Sequence, residues 1–425
     1  MKISIFWFRR DLRIEDNTAL IKALSSDHKI LPLFIFDEEI LNDLPVDDPR
    51  ISFIYKSLKA INQQFFKYNS SILCVKGKPL TVWKELLNKY AIINVFINKE
   101  YEPYTLKRDQ EIENLLITAG IKLKQYKDQV IHEGHEVVKG DGKPYTVFTP
   151  YKNKWLDIYS PFETAENILL NNLLKINFTF PSLNSLGFKE SSIKVKQFNL
   201  KNLNTYAQTR DFPSLDATSY LGPHLRYGTI SIRQVISQLN PKNDTFLSEL
   251  IWREFFMQIL CHFPYVVTKN FRSKYDNLEW RNDPDDFQKW RHGETGYPMV
   301  DAGMRQLNET GYMHNRVRMI AAGFLCKHLL IDWTLGEAYF AEKLLDYELS
   351  SNNGNWQWAA GTGCDAAPYF RIFNPAEQLK KFDKTNSYIR KWIPEYETDT
   401  YACPMVDHKF ARIRALETYK RGLMT

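Results

Sequence analysis

Two stretches of this sequence place reactive side chains where they could act together on a flat, polar molecule. Glu249, Trp252 and Arg253 stand at i, i+3 and i+4, so an acid, an indole and a guanidinium share one stripe of a helix. Leu250, Ile251, Phe255 and Phe256 fill its other sides. Tyr312, Asn315, Arg316 and Met319 repeat the spacing at i, i+3, i+4 and i+7, while Ile320, Phe324 and Leu325 continue apolar. Polar groups on a helix buried nearly all round must be satisfied somewhere. A ligand cavity would do it, and so would an interhelical network such as Glu249 with Arg316 or Arg318; the local pattern leaves both open.

A third stretch, from Asn352 to Pro375, sets Trp356 and Trp358 among alanines and glycines. So many small residues suggest backbone brought close to a flat ligand. Two tryptophans two positions apart cannot share a helical face, so in a bend or loose turn one could meet a ligand and the other the core. The alternative is a helix–helix corner with buried indoles.

The elements that must position these residues follow from periodicity. Ile3–Phe8, Ile30–Phe36, Ser71–Val75, Ile92–Ile97 and Ile121–Tyr126 are apolar runs separated by helical patterns at Ile51–Phe66, Pro79–Tyr90 and Tyr104–Ala119. That alternation predicts an α/β doubly wound parallel sheet over residues 1–130. No GxGxxG follows the first run, so a dinucleotide fingerprint is missing there. Residues 131–205 read as an interdomain connection, and 206–425 as an all-α domain with helices at Thr245–Phe263, Met299–Leu307, His314–Leu330 and Gly336–Leu345 among others.

The chain's 425 residues can bury a large cofactor. Its five cysteines show no CxxC pair and no metal-ligand spacing, which fits a reduced, cytoplasmic chain without a bound metal. No charged-then-apolar leader opens the sequence and no apolar run is long enough to cross a membrane. The net charge of +6 is compatible with nucleic acid without requiring it, and the aromatic share of 14% favours flat ligands or stacked bases.

Taken together, IFWFRRDLRIEDNTAL, RDFP, TSYLGPHLRYG, ELIWREFF, TGYPMVDAGMRQLNETGYMHNRVRM and NNGNWQWAAGTGCDAAPYFRIFNP resemble the photolyase/cryptochrome family, and within it the class I cyclobutane pyrimidine dimer photolyases. The resemblance runs from residue 1 to about 395 and is densest over 206–375. It implies an α/β antenna domain, a helical domain holding FAD, and light-driven repair of pyrimidine dimers in DNA by a monomer. A photosensory cryptochrome that binds FAD without repair is the alternative. The family's FAD pocket falls on Tyr206, Thr218, Ser219, Leu221, Arg253, Asn315, Arg318, Asp346, Glu348 and Asn352. Thr218 and Ser219 would serve the pyrophosphate, Arg253 the phosphate charge, Arg318 would pair with Asp346, and the Asn352 amide would lie by flavin N5. The dimer pocket falls on Glu249, Trp252, Asn315, Arg316, Met319 and Trp358, with Glu249, Asn315 and Asn352 closest to the chemistry. Trp280, Trp333 and Trp356 match the family's electron relay. Departures are Tyr220, Gly222, Phe246, Tyr312 and Glu348, where relatives carry other residues. Tyr104 and Thr105 stand where folate-binding relatives have Asn-Glu, so a folate antenna is unsupported and the second chromophore is left open.

Overall fold

A computed structural model describes residues 2–165 and 168–424. The chain divides into two compact units. One comprises Met1–Glu133, Tyr159–Phe198 and Leu221–Leu239; the other comprises Gly134–Ile158, Asn199–Tyr220 and Asn240–Thr425. The segment expected to connect two domains is therefore shared between them, and residues 221–239, expected in the helical domain, fold with the first unit.

In the first unit, β1 (Lys2–Phe8), β2 (Lys29–Asp37), β3 (Leu73–Gly77), β4 (Ala91–Asn98) and β5 (Lys122–Tyr126) form a parallel sheet in the order β3-β2-β1-β4-β5. The near-continuous apolar run of β1 is explained by burial on both faces. Ile3, Ile5 and Trp7 pack into one apolar cluster, and Phe6 and Phe8 into another. Three crossover helices, Pro49–Phe66, Pro79–Lys89 and Pro103–Thr118, each start on a proline, whose fixed φ suits the first helical position. The Leu221–Leu239 piece is held here by charge. Arg233 donates to Asp16 Oδ2 at 2.8 Å and to Asp128 Oδ1 at 2.7 Å, and Arg13 reaches Asp128 Oδ2 at 2.7 Å. Burial alone would raise the Asp128 carboxyl, but Arg13 and Arg233 outweigh it and hold it below the usual carboxylate range.

At the C-terminal ends of the strands the charged residues pair among themselves. The Tyr104 hydroxyl donates to Asp37 Oδ2 at 2.6 Å, Arg9 donates to the Asn98 carbonyl, and the Arg108 guanidinium lies 5.0 Å over the Trp7 ring and binds Asp109 at 2.9 Å.

The second unit is helical. Its helices include Phe148–Ile158, Asp244–His262, Pro298–Thr310, Asn315–Gly323, Trp333–Lys343, Leu349–Ala360 and His408–Gly422. The expected single helix from His314 to Leu330 is interrupted: after Gly323 a π-helical turn, Phe324–Leu329, ends on Leu330 at φ +52°. The stretch containing Trp356 and Trp358 is not a bend. It is a 12-residue helix, Leu349–Ala360, and one glycine within it and one on the neighbouring Trp333–Lys343 helix serve the packing of aromatic side chains. A Cβ on Gly354 would stand 2.1 Å from the Phe256 ring, and one on Gly336 would stand 2.2 Å from Trp356. Glycine at these positions lets helices close on large rings.

Candidate active site

The Asp244–His262 helix presents Glu249 and Trp252 one turn apart, and both are half-buried. Glu249 does not pair with Arg316 or Arg318, the network considered from sequence. Arg210 Nη1 binds Glu249 Oε1 at 2.6 Å, and the next residue, Asp211, accepts from Arg316 Nη2 at 2.7 Å. One dipeptide thus serves both polar helix faces. These pairs are partly exposed, so each contributes about 0–1 kcal/mol and matters chiefly for placing the charges. Tyr206, one turn before Arg210, has the guanidinium 5.5 Å over its ring and packs edge-on against Phe246. Burial, with the Glu249 charge adding to it, pushes the Tyr206 phenol up to about 12.

A second set of pairs involves Arg253 and Arg318. Arg253 Nε lies 3.4 Å from Glu348 Oε2, both largely buried. Arg318 donates through Nη2 to Asp346 Oδ2 at 2.9 Å and through Nε to the Met313 carbonyl at 2.8 Å, which is the pairing expected from sequence. Asn352 is buried and donates to the Glu337 carboxylate at 2.8 Å and to its main-chain carbonyl at 3.0 Å. Burial raises the Glu337 carboxyl above its usual range. Glu337 was not singled out from sequence; the available signal was a lone acid on the otherwise apolar Trp333–Phe340 run. Thr218 and Ser219 are half-buried, and the Ser219 carbonyl accepts from Asn199 at 2.8 Å. Leu221 is buried at the start of the Leu221–Tyr227 helix in the first unit.

Trp358 and Trp252 line one recess together with Phe256, Gly354 and Gly363, Cys364, Asp365 and Ala366. Trp356, on the other side of the same helix, is 2% exposed and packs against Phe340 and Trp290. The two indoles therefore divide between recess and core, as their spacing requires. Trp333 is buried in the same core, its indole N–H bonded to Asn270 Oδ1 at 2.9 Å, and the half-exposed Trp280 packs against it. Arg316 Nη1 lies 3.8 Å from Met319 Sδ. Two expected positions differ in detail. Asn315 is exposed at the first turn of its helix, and Tyr312 precedes that helix and packs edge-on against Tyr220, so Tyr312 does not share the helical face.

His314 caps the Asn315–Gly323 helix, its Nδ1 accepting the Arg316 N–H at 3.2 Å. Burial lowers the imidazole to about 4. Between that value and the ordinary 6.5 the unfolded chain binds a proton that the native chain does not, so His314 makes stability fall as pH falls through this window. Replacing His314 with Asn, which also caps, should flatten the dependence of the urea midpoint on pH between about 4 and 6.5. An unchanged slope would show that other groups set it.

Residues 246–399 match the family described as the FAD binding domain of DNA photolyase, and residues 4–167 match the DNA photolyase family. The deoxyribodipyrimidine photo-lyase of Halobacterium salinarum is 34% identical over 479 residues, with 99% of each chain covered. Among solved structures, a bacterial class III photolyase from Agrobacterium tumefaciens has a TM-score of 0.91 at 32% identity, covering 100% of this chain and 98% of its own. A cryptochrome from Synechocystis, at 24% identity and a TM-score of 0.87 over 98% of this chain and 99% of its own, shares the fold. The chain belongs to the photolyase/cryptochrome family. It is a flavoenzyme of the photolyase kind, with FAD as its cofactor. Among the described residues, no helix is long and apolar enough to cross a membrane, and no cluster of three or more His, Cys, Asp or Glu is placed to hold a metal ion.

Proposed function

We propose that this enzyme repairs cyclobutane pyrimidine dimers in DNA, driven by near-ultraviolet or blue light acting through reduced FAD. The observation that carries the reading is that Trp252 and Trp358 line one narrow recess, with Glu249 one turn along the helix from Trp252. Two indoles and an acid would suit a pair of linked pyrimidines once the recess opens around them. Extrusion of the target nucleotide is a general property of photolyases, costing a few kcal/mol and least for a damaged base. Stacking on aromatic walls returns roughly 1–3 kcal/mol per base, enough to hold an extruded lesion.

The donor set fits FAD. Arg253 and Arg318, each held by a carboxylate, present guanidinium groups in a largely apolar unit, as a charged cofactor needs. In this reading Tyr206, Thr218, Ser219 and Glu348 complete the binding set, and Thr218 and Ser219 offer hydroxyls and N–H groups to the pyrophosphate. The bound cofactor, reduced and excited by light, supplies the electron that opens the dimer and takes it back. The protein's own groups do the rest. Trp252 and Trp358 stack the lesion and exclude water, and Met319 gives it a polarisable contact. Glu249 and Asn315 hydrogen-bond pyrimidine edges, while Arg316 meets backbone phosphate. Asn352, its amide N–H groups held by Glu337, would meet the flavin ring through its carbonyl oxygen. Trp356, Trp333 and Trp280 carry electrons inward from the surface. A photosensory role is the second reading; a carboxylate at position 352 would favour it, and this chain has an amide.

The test illuminates chemically reduced protein with an oligonucleotide carrying one thymine dimer. Recovery of thymines in light and not in the dark, with a lower yield for Glu249→Ala, is the expected outcome. Equal light and dark yields with reduced FAD bound would favour the photosensory role.

A further inference from the structure

The segment between the two expected domains contributes to the site. The Phe148–Ile158 helix packs one face against the helix carrying Glu249 and Trp252. Phe148, Tyr151, Lys152 and Trp155 recur at helical spacing on that face. Tyr151 lies 5.2 Å from Phe255, Lys152 Nζ donates to Ser248 Oγ at 2.7 Å, and the Trp155 indole N–H donates to Glu254 Oε1 at 2.8 Å. Phe148 makes the closest ring contact. Its ring lies flat on Trp252, with centroids 3.7 Å apart and planes 6° from parallel. Its main-chain N–H donates to Asp365 Oδ2 at 3.0 Å, and Asp365 belongs to the loop that lines the recess with Trp252 and Trp358.

We infer that Phe148 and Asp365 are positioning residues for lesion recognition, an inference that rests on the proposed dimer pocket. An indole on a half-exposed helix face has two flat surfaces and a choice of rotamers. Phe148 covers one surface at stacking distance, which removes that surface from ligand contact and holds the ring's plane. Asp365 ties the start of the Phe148–Ile158 helix to the loop opposite, so that the separation of the two walls is set by one carboxylate bond to a main-chain N–H. Phe148 is outside the recess lining and acts through Trp252, while Asp365, which lines the recess, acts through its bond to the Phe148 main chain. Both act by fixing Trp252 relative to the Gly363–Ala366 wall. Flatness matters more than volume here, because a branched side chain cannot keep an indole in plane.

The experiment measures binding of the FAD-loaded protein to two oligonucleotides of the same sequence, one with a single thymine dimer and one intact. Wild type should prefer the damaged strand. Phe148→Ala should reduce that preference by about tenfold, the scale of one aromatic pair, while intact-DNA affinity and FAD content change little; the thermal midpoint should fall in this variant and in Phe148→Leu alike, because the ring is buried. Phe148→Trp, which keeps a flat ring, should retain most of the preference, and Phe148→Leu should behave like alanine. Asp365→Asn keeps the acceptor and should stay near wild type, whereas Asp365→Ala should lose preference. Undiminished discrimination in Phe148→Ala, or equal loss in Phe148→Trp and Phe148→Ala, would overturn the positioning role and leave the pocket standing. A wild type that does not discriminate would remove the pocket itself, and the inference with it.

Discussion

Trp356→Phe should lose light-driven reduction of the flavin by an external reductant, while chemically reduced protein carrying the same change keeps most of its repair. Phenylalanine preserves an aromatic ring but has no indole that can be readily oxidised and re-reduced. Trp356 is 2% exposed and tightly packed against Phe340, Trp290 and the Gly336 position, so no solvent reductant can replace it by direct contact. The smaller ring leaves a void costing roughly 1–3 kcal/mol, which lowers stability without touching the recess on the other side of the helix. The check is flavin absorbance under blue light with a thiol reductant, followed by repair after dithionite reduction. Photoreduction at the wild-type rate would mean that electrons enter by another path.

The second large effect is expected at Arg318. Truncation to alanine removes the half-buried 2.9 Å partner of Asp346 and the donor to the Met313 carbonyl. Hydrogen bonds to charged groups contribute about 1.5–3 kcal/mol, so FAD retention should fall by about ten- to a hundredfold. Arg318→Lys restores charge without the two-pronged geometry and should recover only part of it. Flavin released per mole of purified, folded protein reads the result directly. Full occupancy in Arg318→Ala would place the cofactor elsewhere.

Much of this arrangement is visible in the sequence because burial imposes a period. The strands of the first unit read as apolar runs since both faces of β1 are covered, and the Glu249, Trp252 and Arg253 stripe stands out because the rest of its helix is apolar. Periodicity does not report partners distant in the chain. Residues 221–239 read as helical and so joined the helical half in sequence, yet Arg233 ties them to Asp16 and Asp128. Arg210 and Asp211 lie in a short, broken stretch, and only the fold shows that they serve Glu249 and Arg316. The Phe148–Ile158 helix is short and flanked by polar loops, so its aromatic spacing was lost in what read as a connection. The small residues after Asn352 have two roles that composition alone does not separate: Gly354 makes room for the Phe256 ring, and Gly363 and Ala366 line the recess with the two tryptophans.

The claim that this enzyme opens cyclobutane dimers is tested most directly by lesion choice. Pre-reduced, FAD-loaded protein is given two oligonucleotides side by side, one with a cyclobutane thymine dimer and one with a six-four photoproduct, in light and in darkness, and intact thymines are counted by chromatography. The account predicts thymine recovery from the cyclobutane dimer alone and only under illumination, because Trp252 and Trp358 line the recess and His314, held neutral by burial, is followed by Asn315 rather than by a second histidine. Repair of the six-four product, or no repair of either lesion with FAD bound and reduced, would contradict it.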